Sequence, residues 1–295
     1  MLRACPIAPC PLNARPRRIC ARAAWFALWL VVAAAGCRSV EKTIAPSNFR
    51  DWRPEQAVLP YAERHGNLVT VHNVRDCQYF SDDLFVVEYD DRTYDLAQVR
   101  GVDFLMVPFD TNPSLAHTML SFEFARPDGR SDHLAVSVET RKEKDENYAA
   151  WKGSARQYEL MYVVADEEDV IRVRTNFRGE DVYLYHSTAT PEAARELFVD
   201  VMGRVNELAS RPEFYDTLTN NCTTNIVRHI NRIRPNRIAY DVRVLLPGYS
   251  DELAYEEGLI EPHGTFDETK ARAHINELAQ RCPEGQDFSQ AIRRR

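Results

Sequence analysis

From Asn67 onward the chain is a series of short apolar-rich runs set between polar turns. L-V-T-V-H-N-V (68–74), D-L-F-V-V-E-Y (83–89) and V-D-F-L-M-V-P-F (102–109) are rich in β-branched and aromatic residues and predict strands. H-T-M-L-S-F-E-F (117–124) and H-L-A-V-S-V-E-T (133–140) alternate apolar with polar positions, as half-buried strands do. Asp128-Gly129 lies between them, so the two runs form a hairpin. Y-E-L-M-Y-V-V (158–164) and D-V-Y-L-Y (181–185) predict further strands, with D-E-E-D-V-I-R (166–172) as a turn between them.

After residue 185 the period changes from two to about 3.6. Thr190, Pro191 and Glu192 open a helix with a cap, a proline in the first turn and an acid near the N-terminus. Leu197, Val201, Val205 and Leu208 give it one apolar stripe, and it ends before Pro212. A second helix follows T-N-N-C-T-T-N (219–225), with Ile226, Ile230 and Ile233 as its buried face. A short helix begins at Ser250. Strands cluster first and helices after them, which is an α+β pattern: an antiparallel sheet packed on the helix that starts at Cys222.

The first 60 residues follow other rules. Arg3, Arg15, Arg17, Arg18 and Arg22 precede the apolar run Ala23–Gly36, so residues 1–36 read as a secretory signal. That run is shorter than the ~20 residues a spanning helix needs, and no later stretch reaches that length. It ends in A-A-G-C, which resembles a lipobox and makes Cys37 the lipidation site, with Arg38 favouring the outer membrane. Residues 37–66 are then a lipidated N-terminus and polar tether, containing Pro46, Pro54 and Pro60 and adding nothing to the core. The main domain spans 67–262, and 263–295 is a helical, polar tail.

Five of the 37 basic side chains lie in residues 1–36, which hold no acid, so the rest carries 32 against 44 acidic ones, net −12. That balance disfavours nucleic acid as a partner. No spacing of cysteine and histidine matches a metal motif, and no cofactor fingerprint is present.

Beyond the signal the cysteines are Cys37, Cys77, Cys222 and Cys282. Cys77 and Cys282 sit in polar contexts and are candidates for a disulfide, which leaves Cys222 as the free thiol. Cys222 stands at the first turn of a helix among small polar side chains, where unpaired N–H groups favour a thiolate. A thiol nucleophile needs a base, and the base needs an orienting group. Of eight histidines, His229 shares the cysteine's helix but lies two turns away, roughly 10 Å. His117 stands at the entry of the first hairpin strand. A turn around Asp128-Gly129 puts it opposite about position 140, within one residue of Glu139. The residues therefore nominate Cys222 as nucleophile, His117 as base and Glu139 as orienter. Arg141 is the competing surface partner for Glu139. Asn221 is a candidate oxyanion or positioning group, with helix capping as its other role.

T-N-N-C-T-T-N-I, E-T-R-K-E-K, R-Q-Y-E-L-M-Y-V-V-A-D-E-E-D-V, E-D-V-Y-L-Y, D-R-T-Y-D-L and L-P-G-Y-S-D-E-L together resemble the Lnb N-terminal periplasmic domain family, over about Asn73 to Ile260. Its namesake makes lyso-form lipoproteins. The resemblance implies a permuted papain-like (NlpC-type) fold with histidine before cysteine, here His117 and Cys222. With the lipobox-like anchor, the reading is an exported periplasmic enzyme, anchored to the outer membrane, that moves or hydrolyses an ester- or amide-linked, palmitate-like acyl group of an envelope lipid or lipoprotein through a thioester. The rival readings are a cysteine amidase on cell-wall peptides and a non-catalytic lipoprotein that binds an acyl chain or partner.

Overall fold

The computed structural model describes residues 45–146 and 157–294. The expected signal segment and the expected lipidation site, Cys37, lie outside the described residues. From Pro46 the chain forms one compact unit. Its eight strands are β1 (Tyr61–His65), β2 (Leu68–Tyr79), β3 (Phe85–Asp95), β4 (Val99–Phe109), β5 (Asn112–Ala125), β6 (Ser131–Arg141), β7 (Glu159–Asp166) and β8 (Tyr183–His186). They make one sheet in the order β1-β2-β7-β6-β5-β4-β8, with β3 paired to β2. The pairings are antiparallel except β2 with β7, which run parallel at Arg75↔Ala165. The sheet is therefore mixed, not antiparallel throughout.

Helices cover both faces. The even positions of the central strands, such as Phe122, Val136 and Tyr162, pack with α2 (Pro191–Ser210) and α3 (Cys222–Ile233). The odd positions, such as Met119, Ala135 and Met161, pack with α1 (Glu167–Arg172), α6 (Asn276–Arg281) and α7 (Phe288–Ala291). Between them come α4 (Ser250–Glu256) and α5 (Phe266–Ala273). The alternating runs of the hairpin are therefore largely buried on both sides, and several of their polar positions have internal partners, though buried His133 has none for either ring nitrogen. Ser121, for instance, donates to Glu167 at 2.6 Å.

Several local predictions match. Thr190 caps α2, its side chain accepting from the Ala193 N–H, and Leu197, Val201, Val205 and Leu208 are buried. Residues 166–172 are not a turn. Asp166 caps α1 by accepting from the Glu168 N–H, and three acids in the first turn suit the helix dipole. The chain continues as a π-helical turn, Val173–Arg178, closed by Gly179 at φ 68°.

Residues 46–60, expected as a free tether, lie against the body. Trp52 is buried beneath the Arg141 guanidinium, 4.2 Å from the ring centroid. The Gln56 side chain bridges the Thr140 carbonyl and the Lys142 N–H. Near the other terminus, partly buried Arg293 pairs with Asp103 and Glu167 at 2.7 and 2.6 Å, which ties the segment after α7 to the sheet and to α1. Cys77 and Cys282 are buried free thiols and form no disulfide. Cys77 is a strand residue, and burial with the Asp169 charge pushes its thiol up to about 12. Among the described residues no helix is long and apolar enough to cross a membrane.

Candidate active site

The site forms where β5 and β6 meet the N-terminus of α3. The hairpin register is Met119↔Ser137, so continuing it by two residues sets His117 opposite Glu139, one position from the expected pairing. Gly129, at φ 82°, supplies the turn that fixes this register.

The His117 Nε2 atom lies 2.6 Å from Ser137 Oγ and 3.2 Å from Glu139 Oε1. Ser137 in turn donates to Glu139 at 2.7 Å. Ser137 shares a face with Glu139 by the two-residue period of a strand. With Nε2 engaged, Nδ1 is the ring nitrogen left to serve the Cys222 thiol, and each of the two groups shifts the other's protonation. Sγ is also 3.9 Å from the Ala116 carbonyl oxygen.

The partner of Glu139 is not Arg141. That side chain turns to the Gln56 and Ala57 carbonyls, because the 46–60 segment crosses there. Arg174 takes its place, 3.3 Å from Glu139 Oε1 and carried by the π-helical turn. Nothing local in the sequence signals Arg174.

Three charges thus stand in line. Burial opposes the charged form of His117, but the Glu139 charge and the hydrogen bonds to Cys222 and Glu139 lift it to about 9. Burial alone would raise the Glu139 carboxyl, yet His117 and Arg174 hold it well below the usual carboxylate range. Burial would also raise the Cys222 thiol, whereas the hydrogen bond and charge of His117, helped by Thr118, bring it to about 7. Both shifts favour the charged forms, a thiolate beside an imidazolium.

Asn221 lines the cleft, and both polar atoms of its side chain are engaged at the helix start. Its Oδ1 accepts from the Thr224 N–H at 2.8 Å, and its Nδ2 donates to the Thr217 carbonyl at 2.7 Å. Thr224 Oγ1 accepts from the Asn221 N–H and completes a capping box. Asn221 therefore positions the cysteine. The N–H groups of Cys222 and Thr223 lie in the first turn, where the helix ladder supplies no acceptor, and are the oxyanion donors the geometry offers.

The other histidine on α3 is engaged elsewhere. His229 is held between Asp200, 2.6 Å from Nδ1, and the Tyr162 hydroxyl, 2.8 Å from Nε2. Among the described residues no group of three His, Cys, Asp or Glu side chains is arranged to hold a metal ion.

Cys222, His117 and Glu139 line one cleft of about 250 Å³, together with Lys142, Arg174 and Arg178. A second cavity, about 340 Å³ and mainly aliphatic, lies between α2, α3 and α4. Thr223, the residue after the thiol, is part of its wall, and Thr223 Oγ1 lies 3.0 Å from Thr118 Oγ1.

The family model described as the Lnb N-terminal periplasmic domain matches residues 86–248, more than half of the chain, and the chain belongs to that family. It carries a periplasmic domain and is an envelope-associated protein. No curated protein and no solved structure matches it.

Proposed function

We propose that this domain is a thiol acyltransferase or hydrolase of the envelope, with Cys222 as nucleophile, His117 as acid–base and Glu139 as the group that orients and charges His117. The observation that carries the reading is the convergence of Cys222, His117 and Glu139 on one cleft, with His117 3.2 Å from Glu139. Histidine on a strand precedes cysteine at a helix start, which is the order of a permuted papain-like fold. In the reaction the Cys222 thiolate attacks an ester or amide carbonyl, forming an S–C bond and a tetrahedral oxyanion. The imidazolium gives its Nδ1 proton to the leaving oxygen or nitrogen as that bond breaks, and a thioester remains. An amine or water then attacks the thioester, losing its proton to His117 as the C–S bond breaks and the Cys222 thiolate is returned.

The aliphatic cavity beginning at Thr223 favours an acyl chain over a cell-wall peptide as the group held. The A-A-G-C sequence supports anchoring at Cys37, and a Cys37→Ser chain is expected to leave the membrane fraction. The decisive test is intact mass spectrometry of the full chain after incubation with envelope lipids, and separately with muropeptides. An acyl adduct on Cys222, absent from Cys222→Ala, is expected with lipid. An adduct or cleavage only with muropeptide would establish the amidase reading. No adduct or turnover with either would leave a non-catalytic lipoprotein.

A further inference from the structure

We propose that the rim of the Cys222 cleft is a membrane-docking face that seats on an anionic phospholipid surface. Large apolar side chains are exposed on three segments that border this one cleft. The loop supplying Leu245 and Pro247 to its wall also presents Tyr240, 89% exposed, with Val242, Leu246 and Tyr249. The turn supplying Thr217 presents Leu218, 55% exposed. On a third side, Arg178 of the cleft wall pairs with Asp82 at the β2–β3 tip, where Phe80 and Leu84 are each 63% exposed.

Single exposed apolar residues are ordinary, but a patch gathered round one opening marks an interaction surface. Tyrosine with leucine and phenylalanine suits the boundary between headgroups and acyl chains, where a ring is buried and its hydroxyl stays wet. Lys142, Arg174 and Arg178 face Glu139 and Glu180 in the cleft wall, which leaves a small positive excess there in an otherwise acidic chain and complements phosphate headgroups.

The point where the chain enters the body selects this occupant. The Ser47 N–H donates to Glu159, the first residue of β7, whose partner Arg141 is two residues from Glu139. The entry point thus lies at the same end of the sheet as the cleft. The ten residues from Cys37 to Ser47 span at most about 35 Å, so a lipid on Cys37 would hold that end near the bilayer. The opposite end, at the β5–β6 turn around Pro127, carries Arg126, Asp128 and Arg130 instead.

The experiment uses the full chain with vesicles of phosphatidylglycerol and phosphatidylethanolamine whose acyl chains are brominated. Tyr240→Trp and Leu246→Trp are compared with Pro127→Trp, each after subtraction of the parent's emission. The added emission at 240 and 246 is expected to shift to the blue and to be mostly lost to bromine, while that at 127 is unchanged. Equal quenching at all three positions, or none at any, overturns the docking face, as does a protein partner protecting the rim without quenching. The readout needs no turnover, so it fails or succeeds independently of the thiol chemistry.

Discussion

Replacing Glu139 by Gln tests the charge arrangement most directly, because the amide keeps the shape and loses only the charge. A glutamine oxygen still accepts from Nε2, where Glu139 Oε1 now lies 3.2 Å away, and still accepts from Ser137. What disappears is the negative charge beside His117. The lift of that imidazole from 6.5 to about 9 corresponds to about 3 kcal/mol, and the Glu139 charge is its largest raising cause. In the variant Arg174 keeps only the more distant Glu180, 3.8 Å away, as its counter-charge, so its own charge acts in the same lowering direction. The imidazolium is then lost near neutrality, and with it the main influence that brings Cys222 to about 7. If the thiol returns towards 9, the thiolate at pH 7.5 falls from most of the population to a few per cent, a loss of roughly 10- to 100-fold.

The assay is the rate of Cys222 alkylation by iodoacetamide against pH, which needs no known substrate. Stability supplies a second reading with a definite sign. A group raised in the folded state contributes stability that is complete below 6.5 and is lost as pH rises through about 9. The Glu139→Gln deficit should therefore be larger at pH 6 than at pH 9.5. An unchanged alkylation profile with an equal deficit at both pH values would show that Glu139 merely pairs with Arg174. The Cys–His pair would then stand without a third member.

Three further outcomes follow from the same geometry. In the parent, alkylation of Cys222 should rise through about pH 7 and not through 9, and turnover on any substrate should fall again above about 9 as His117 loses its proton. Asn221→Ala removes the cap of α3 and should cost about 1 kcal/mol, read as a lower denaturant midpoint with an unchanged slope. Arg293→Met strands Glu167 and Asp103 in the interior and should cost about 3–5 kcal/mol at neutral pH. Glu167 is opposed by burial but held at about 2 by Arg293, so that deficit should shrink as pH falls from 4.5 towards 2.

What the sequence revealed was local. The Asp-Gly turn set the hairpin register to within one residue, which was enough to bring His117 and Glu139 together. Thr190-Pro191 marked the start of α2, and the polar residues round Cys222 marked that of α3. The contacts that were not legible join distant positions. Arg75 and Asp169 are 94 residues apart, and Arg174 and Glu139 are 35 apart. Two-sided burial was hidden for the same reason. Serine and threonine in an alternating run read as a wet face, and only a covering helix such as α1 turns Ser121 into an internal donor. Arg141 does share a face with Glu139, but face alone does not decide contact when a remote segment offers two carbonyls.

The relative size of two effects decides what each part of the site contributes. A helix N-terminus stabilises a nearby anion by about 0.3–1 kcal/mol when exposed. Bringing the thiol from 9.0 to about 7 corresponds to about 3 kcal/mol, and it is achieved against burial. The helix start that first draws attention to Cys222 is therefore too weak to ionise it. The larger influence on it is His117, whose charged form Glu139 favours most and Cys222 favours as well. The helix contributes something else: a cap that fixes the direction of Sγ, and first-turn N–H groups that remain available to a developing oxyanion. Charge comes from the hairpin and geometry from the helix. Placing the two on separate elements lets the Asn221→Ala and Glu139→Gln variants disturb them separately. The first should lower stability while leaving the pH midpoint of alkylation in place, and the second should move the midpoint while leaving the cap intact. A shift of the midpoint in Asn221→Ala as large as in Glu139→Gln would show that the helix, and not the hairpin, sets the thiolate.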